Sequence, residues 1–173
     1  MKYLQGYPEN VLARAQDLAD RGLLGTMLQQ RYGTPHTVRT DRALYDYVVA
    51  IKGEYLRGAS PISKVGYCSK LQVVAHALGT HTTVSRVQGH KLKAKHEIRI
   101  AALFRDTPIG FLRMIAVHEL AHLKEKTHDK AFYKLCTYMQ PDYHQLELDL
   151  RLYLTHLDTA GKLDWSGGAG AAL

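Results

Sequence analysis

Two cysteines, Cys68 and Cys136, far apart and in unrelated contexts, are too few for a disulfide framework, and the chain reads as a cytoplasmic protein with reduced thiols. Apolar runs stop after a few residues, which excludes a membrane-spanning helix. Met1 to Asn10 has no basic head followed by an apolar stretch, so no secretory signal is expected. No internal repeat or low-complexity tract precedes the last residues. Acidic residues are in deficit: 16 Asp and Glu face 23 Lys and Arg, a formal charge of +7. That balance suits nucleic acids, anionic surfaces or acidic substrates without selecting among them.

What is present is an ordinary globular composition, 46% apolar and 23% charged over 173 residues, enough for one domain with a real core and short for two. The domain is expected over 1–160, with 1–60 its helical N-terminal part and a Gly-Ala-Ser tail from 161 to 173. Pro8 to about Arg31 keeps a helical period weakened at Gly22 and Gly25, predicting one broken helix or two short ones. A helix follows with Asp41 as its cap, Leu44, Val48 and Ile51 on one face, and Gly58 at its left-handed end. The middle third suggests a strand over Ile62–Cys68, a short helix over Lys70–Leu78, and two strands, Thr82–Val87 and His96–Leu103, joined through a turn at Gln88-Gly89-His90.

Thr107-Pro108 then opens a helix whose body, Ile109 to Leu123, is apolar nearly all round, as a buried central helix would be. It nevertheless carries His118, Glu119 and His122, and polar groups there need a partner that a metal ion could be. The next helix is expected from about Thr127. The last, Tyr143 to Leu157, alternates like a strand but is built of strong helix formers.

His118-Glu119-Leu120-Ala121-His122 places two imidazoles four residues apart, on one helical face and about 6 Å along the axis. At that spacing both can reach one tetrahedral zinc ion, while the glutamate sits beside the water there as general base and then general acid. Zinc lowers the pKa of such a water to near 7 and polarises the bond under attack. A third protein ligand is required, and His128, just past the expected helix end, is the first choice, with Glu125 and Asp129 as carboxylate alternatives. Tyr133, Tyr138, Tyr143 and His144 are candidates for stabilising charge on the substrate. Because the ligands must be neutral imidazoles, metal binding is expected to weaken below about pH 6.

These residues, with Thr127-His128-Asp129-Lys130-Ala131-Phe132-Tyr133 and the stretch from Val84 to Tyr143 around them, resemble the YgjP-like metallopeptidase family. That family stands near the WLM and SprT-like proteases of the zincin group. The resemblance implies His118, His122 and His128 as metal ligands and Glu119 as the catalytic residue. It also implies an edge strand, His96–Leu103, with which an extended peptide could pair. Val87-Gln88-Gly89-His90 stands where the family usually has Trp-Gly-Ser-Cys. The ligand spacing is also that of metzincins, but Glu125 replaces their turn glycine and no Met-turn follows, so the chain is not read as one.

The resulting expectation is an α+β, zincin-like single domain, with helices around a small, mainly antiparallel sheet and a central HExxH helix. Its leading function is zinc-dependent hydrolysis of a protein or peptide substrate. Two other readings stand beside it. One is hydrolysis of a non-peptide bond such as a nucleotide phosphoanhydride, and the other is a non-catalytic nucleic-acid-binding protein with a structural metal closed by a fourth ligand such as Asp129 or His144. The basic hairpin Arg86, Lys91, Lys93, Lys95 and Arg99 is the candidate nucleic-acid contact, and no membrane partner is expected.

Overall fold

Gly22 divides the N-terminal helical stretch. At φ +66° it adopts the left-handed conformation that costs glycine least, and Leu23 N–H closes onto the Leu18 carbonyl at 2.8 Å. The computed structural model describes residues 2–71, 79–88 and 91–167, with side-chain surroundings for 2–71 and 96–166. Over these residues the elements run α1 (Glu9–Asp20), α2 (Leu24–Tyr32), α3 (Asp41–Tyr55), β1 (Ile62–Cys68), β2 (Gly79–Gln88), β3 (Lys91–Ala101), α4 (Ile109–Ala121), α5 (Lys130–Met139) and α6 (Tyr143–Ala160). Among the described residues no helix is long and apolar enough to cross a membrane.

Helix α3 is capped by Thr40, whose hydroxyl oxygen accepts from Ala43 N–H, and not by Asp41 as its sequence suggests. The Asp41 carboxylate instead accepts from Tyr67 N–H at 2.9 Å, tying α3 to β1. A Cβ on the neighbouring Gly66 would stand 3.1 Å from that carboxylate, which is why a glycine fits there. Gly58 is not the expected left-handed cap, since α3 ends at Tyr55 with Leu56 closing it. Leu44, Val48 and Ile51 bury one face of α3 against the core.

The sheet is mixed, which corrects the expectation of a mainly antiparallel one. Its order is β1-β3-β2: β2 and β3 pair antiparallel, and β1 joins the other side of β3 in parallel. A three-strand meander would have put β1 beside β2. Here β1 skips its sequence neighbour and lies along the next strand but one, which runs in its own direction. β3 is therefore the central strand and cannot be the open edge for a peptide. On its described part, Ile98 and Ile100 are buried while Arg99 is exposed, the alternation of a strand with one covered face. The expected helix over Lys70–Leu78, the Gln88-Gly89-His90 turn, and the side chains of Arg86, Lys91, Lys93 and Lys95 lie largely or wholly outside the described residues.

Helix α4 starts at Ile109 behind Pro108, and the Thr107 hydroxyl donates to the Phe104 carbonyl without capping it. Most of α4 is buried, among α3, α5, α6 and the sheet. Helix α5 starts at Lys130, later than its sequence suggests, which leaves His128 in a loop. The chain is still packed at Trp165, 3% exposed and edge-on to Phe111 at 5.9 Å, beyond the point where a tail was expected to begin. The residues from 168 onward lie outside those described.

Candidate metal centre

Helix α4 brings its last turn to the surface of the core. His118 is half-buried there, and Glu119 is 2% exposed. His122 stands one residue past the end of α4 but keeps helical dihedrals, so the four-residue spacing holds. The chain then turns back: Glu125 N–H bonds to the Ala121 carbonyl at 2.9 Å, and Asp129 N–H to the Thr127 carbonyl at 2.9 Å. Asp129 pins the loop as the N-cap of α5, its carboxylate accepting from Ala131 and Phe132 N–H at 2.9 and 3.0 Å and from the Thr127 hydroxyl at 3.1 Å. These bonds, the Phe132 amide first, hold its carboxyl below the usual range. The buried Phe132 ring forms the floor, with its centroid 4.9, 4.7 and 4.7 Å from those of His118, His122 and His128.

The three imidazoles converge. His128 Nε2 lies 3.2 Å from His118 Nε2 and 3.1 Å from His122 Nε2. Hydrogen bonding cannot account for this. A neutral imidazole has one N–H, and in His122 it belongs to Nδ1, which donates to the Glu125 carbonyl at 2.9 Å and leaves an Nε2 lone pair. His128 Nε2 can serve that lone pair only by donating its single proton, and whichever way His118 Nδ1 shares its 2.8 Å contact with the Tyr143 hydroxyl, that one proton cannot serve His118 as well. Nitrogens bound to a tetrahedral ion at about 2.0–2.1 Å stand about 3.3 Å apart, close to the spacing seen here. Next to His118 in the sequence, Glu119 Oε2 is buried without a hydrogen-bond partner. Donor set, spacing and orphaned carboxylate oxygen all fit a divalent cation.

Electrostatics agree. Burial first, then the neighbouring imidazoles, push His118 down to about 3, and burial likewise lowers His128, so both rings are neutral and ready to ligate. Burial alone pushes the Glu119 carboxyl up to about 8. That shift is what a lone buried acid shows before a positive charge is placed near it.

The carboxylate alternatives for the third ligand do not join the cluster. Asp129 is committed to the α5 cap, and Glu125 contributes its backbone carbonyl to His122. Of the four expected charge stabilisers, Tyr143 is fully buried behind His118 and supports that ring instead of facing a substrate. Its hydroxyl also meets the buried Cys136 thiol, and burial raises the phenol well above its ordinary range, so it stays protonated. Tyr138, 62% exposed, stands edge-on to Tyr55 at 5.5 Å, apart from the cluster. Tyr133 and His144 remain beside the site, their rings 5.4 Å apart. Nothing in the sequence distinguished Tyr143 as a support, because its direction depends on how α6 meets α4. Tyr143→Phe removes the hydrogen bond while keeping the ring, and metal affinity measured by chelator competition is expected to fall about 10–100-fold with an unchanged fold.

A sequence profile described as YgjP-like, metallopeptidase domain, matches residues 67–153, which include α4, the His128 loop and most of α6. The UTP pyrophosphatase of Escherichia coli (strain K12) is 57% identical over 157 residues, covering 91% of this chain and 94% of that protein. No solved structure matches the chain. Since the likeness runs through the three-histidine centre and nearly the full length of both chains, this protein belongs to the YgjP-like family of metallopeptidase domains and is, in its coarse class, a metal-dependent hydrolase.

Proposed function

We propose that the chain hydrolyses a nucleoside triphosphate, UTP first among them, to the monophosphate and pyrophosphate. His118, His122 and His128 would hold a zinc ion through Nε2, and Glu119 would handle the proton of the attacking water. The observation that carries the hydrolytic reading is the convergence of three imidazoles, one of them followed in the sequence by a glutamate whose buried carboxylate oxygen has no partner. Three imidazoles suit zinc, and among the described residues no fourth side chain joins them, as a structural site would require. The choice of bond rests on the E. coli relative, alike over nearly its whole length.

A bound ion supplies Lewis acidity, making water a better proton donor and drawing charge from the phosphoryl group. The chain's own residues do the rest. Glu119, ionised opposite a positive charge, accepts a proton from the water as its oxygen bonds to the α-phosphorus. The bond from that phosphorus to the bridging oxygen breaks, its electron pair leaves with pyrophosphate, and Glu119 returns the proton to the leaving group. Tyr133 and His144, whose rings lie 5.4 Å apart, would donate hydrogen bonds to phosphoryl oxygens. Phe132 keeps water from the back of the site.

Peptide hydrolysis is the second reading. The family's description favours it, as does β2, an outer strand of the sheet that touches α4 and could pair with an extended chain in a zincin-like manner. Parallel assays on UTP and on an unfolded protein with zinc-loaded enzyme separate the two. Pyrophosphate release that stops on chelation is the expected result. Cleavage of the protein with no pyrophosphate would replace the first reading by the second.

A further inference from the structure

We propose that Arg151 anchors the polyphosphate of the substrate, held in position by Glu147 and by the N-terminal segment. This rests on the nucleotide reading above and adds to it the group that recognises the phosphate chain. Tyr143, Glu147 and Arg151 follow one another at four-residue steps on α6, forming one ridge. The Tyr143 end of that ridge touches the ligand His118. From the other end the Arg151 guanidinium reaches back about one turn, its Nη2 donating to Glu147 Oε1 at 3.0 Å. Its Nη1 donates to the Tyr3 carbonyl at 3.0 Å, across 148 positions of sequence, and the Tyr7 ring lies 6.0 Å away. The fork is thus fixed from two sides, yet 29% of the side chain is open, while Glu147 is only 15% open.

Charge decides what the open part can serve. Arg151 stands within electrostatic reach of His118, and Glu147 within reach of His128. One carboxylate offsets one guanidinium, so a divalent ion on the three imidazoles leaves this corner positive. Arg151 lies about two turns along α6, roughly 12 Å, from the Tyr143 that touches His118, and two cations on one ridge repel one another unless an anion such as a polyphosphate lies between them. A peptide carbonyl, being neutral, gains little there. The planar guanidinium also matches phosphate oxygens two at a time, which an ammonium cannot do. A simple tether for residues 3 to 7 would call for none of this.

The test uses the zinc-loaded full chain with three variants, Arg151→Met, Arg151→Lys and Glu147→Gln. Steady-state kinetics on UTP and calorimetric binding of inorganic tripolyphosphate are measured for each. Arg151→Met is expected to raise KM at least tenfold, with kcat within threefold, and to weaken tripolyphosphate binding by a similar factor. Arg151→Lys should fall between it and wild type. Glu147→Gln, whose amide oxygen can still accept the positioning hydrogen bond from Arg151 while the competing charge is gone, should leave KM equal or lower. An unchanged KM in Arg151→Met, or equal increases in Arg151→Met and Glu147→Gln, would assign Arg151 to a tether and overturn the proposal. Should Arg151→Met not fold, the opposed directions expected of Arg151→Lys and Glu147→Gln decide alone. Tripolyphosphate binding needs no turnover. A wild-type chain that binds it through Arg151 but leaves UTP intact would keep the anchor and sink the reaction.

Discussion

His128→Ala is expected to lose the metal and the activity together while remaining folded. His128 is exposed, sits in a loop, and meets the core through the face of Phe132, so its removal opens no cavity of consequence. What it removes is one of three converging nitrogens. Losing a group that merely supports a ligand weakens metal binding about 10–100-fold, so losing a ligand should cost more than 100-fold. Where the ion contributes several kcal/mol of charge stabilisation, kcat/KM should fall by about 10³ or more. Metal content by elemental analysis and the rate of UTP hydrolysis well below KM check both. A variant with full stoichiometric zinc would remove His128 from the site.

Glu119→Gln separates proton handling from metal binding. The amide is nearly the same size, so zinc should stay near one per chain, while kcat falls about 10²–10⁴-fold for want of a base. The same variant carries a second, independent readout in the metal-free state. Burial raises the Glu119 carboxyl from its ordinary 4.5 to about 8, so the folded chain holds more protons than the unfolded one across that interval. Its contribution is therefore fully present below about pH 4.5 and is lost as pH rises toward 8. Glutamine has no such dependence. Metal-free Glu119→Gln should match wild type near pH 4 and exceed it near pH 8 by a few kcal/mol, an order-of-magnitude figure. Parallel stability curves for the two would show that Glu119 is not buried alone.

What the sequence made legible was whatever is local. The convergence of His118, His122 and His128 could be read because helix geometry and a short loop suffice to bring them together. The apolar surround of α4 announced a buried helix for the same reason. From sequence Tyr143 is only one of four candidates for stabilising charge on the substrate, because the contact between α4 and α6 that turns it behind His118 joins residues 25 apart. The parallel pairing of β1 with β3 was hidden because it links strands that are not sequence neighbours. Arg151 and Glu147 looked like any exposed helix pair, and only the Tyr3 carbonyl, brought from the other end of the chain, gives the arginine its fixed direction. Metal binding is still expected to weaken on acidification. With His118 pushed to about 3 and His128 lowered, proton competition at those two ligands sets in at more acidic pH.

If His118, His122 and His128 hold an ion as proposed, its ligands hang from one short stretch of chain, and this governs how the ion comes and goes. A cross-link across so few residues restrains little of the unfolded chain, since loop-closure entropy grows only with the logarithm of length. It joins no distant parts of the fold. Helix α4 fills its surroundings with its own apolar side chains, whether or not the ion is there. Release therefore asks only for the turn between His122 and Asp129 to swing outward, a motion on the nanosecond-to-microsecond scale of loops. Exchange of the ion is then a local opening, with a rate set by bond breaking at the imidazoles and not by unfolding of the domain.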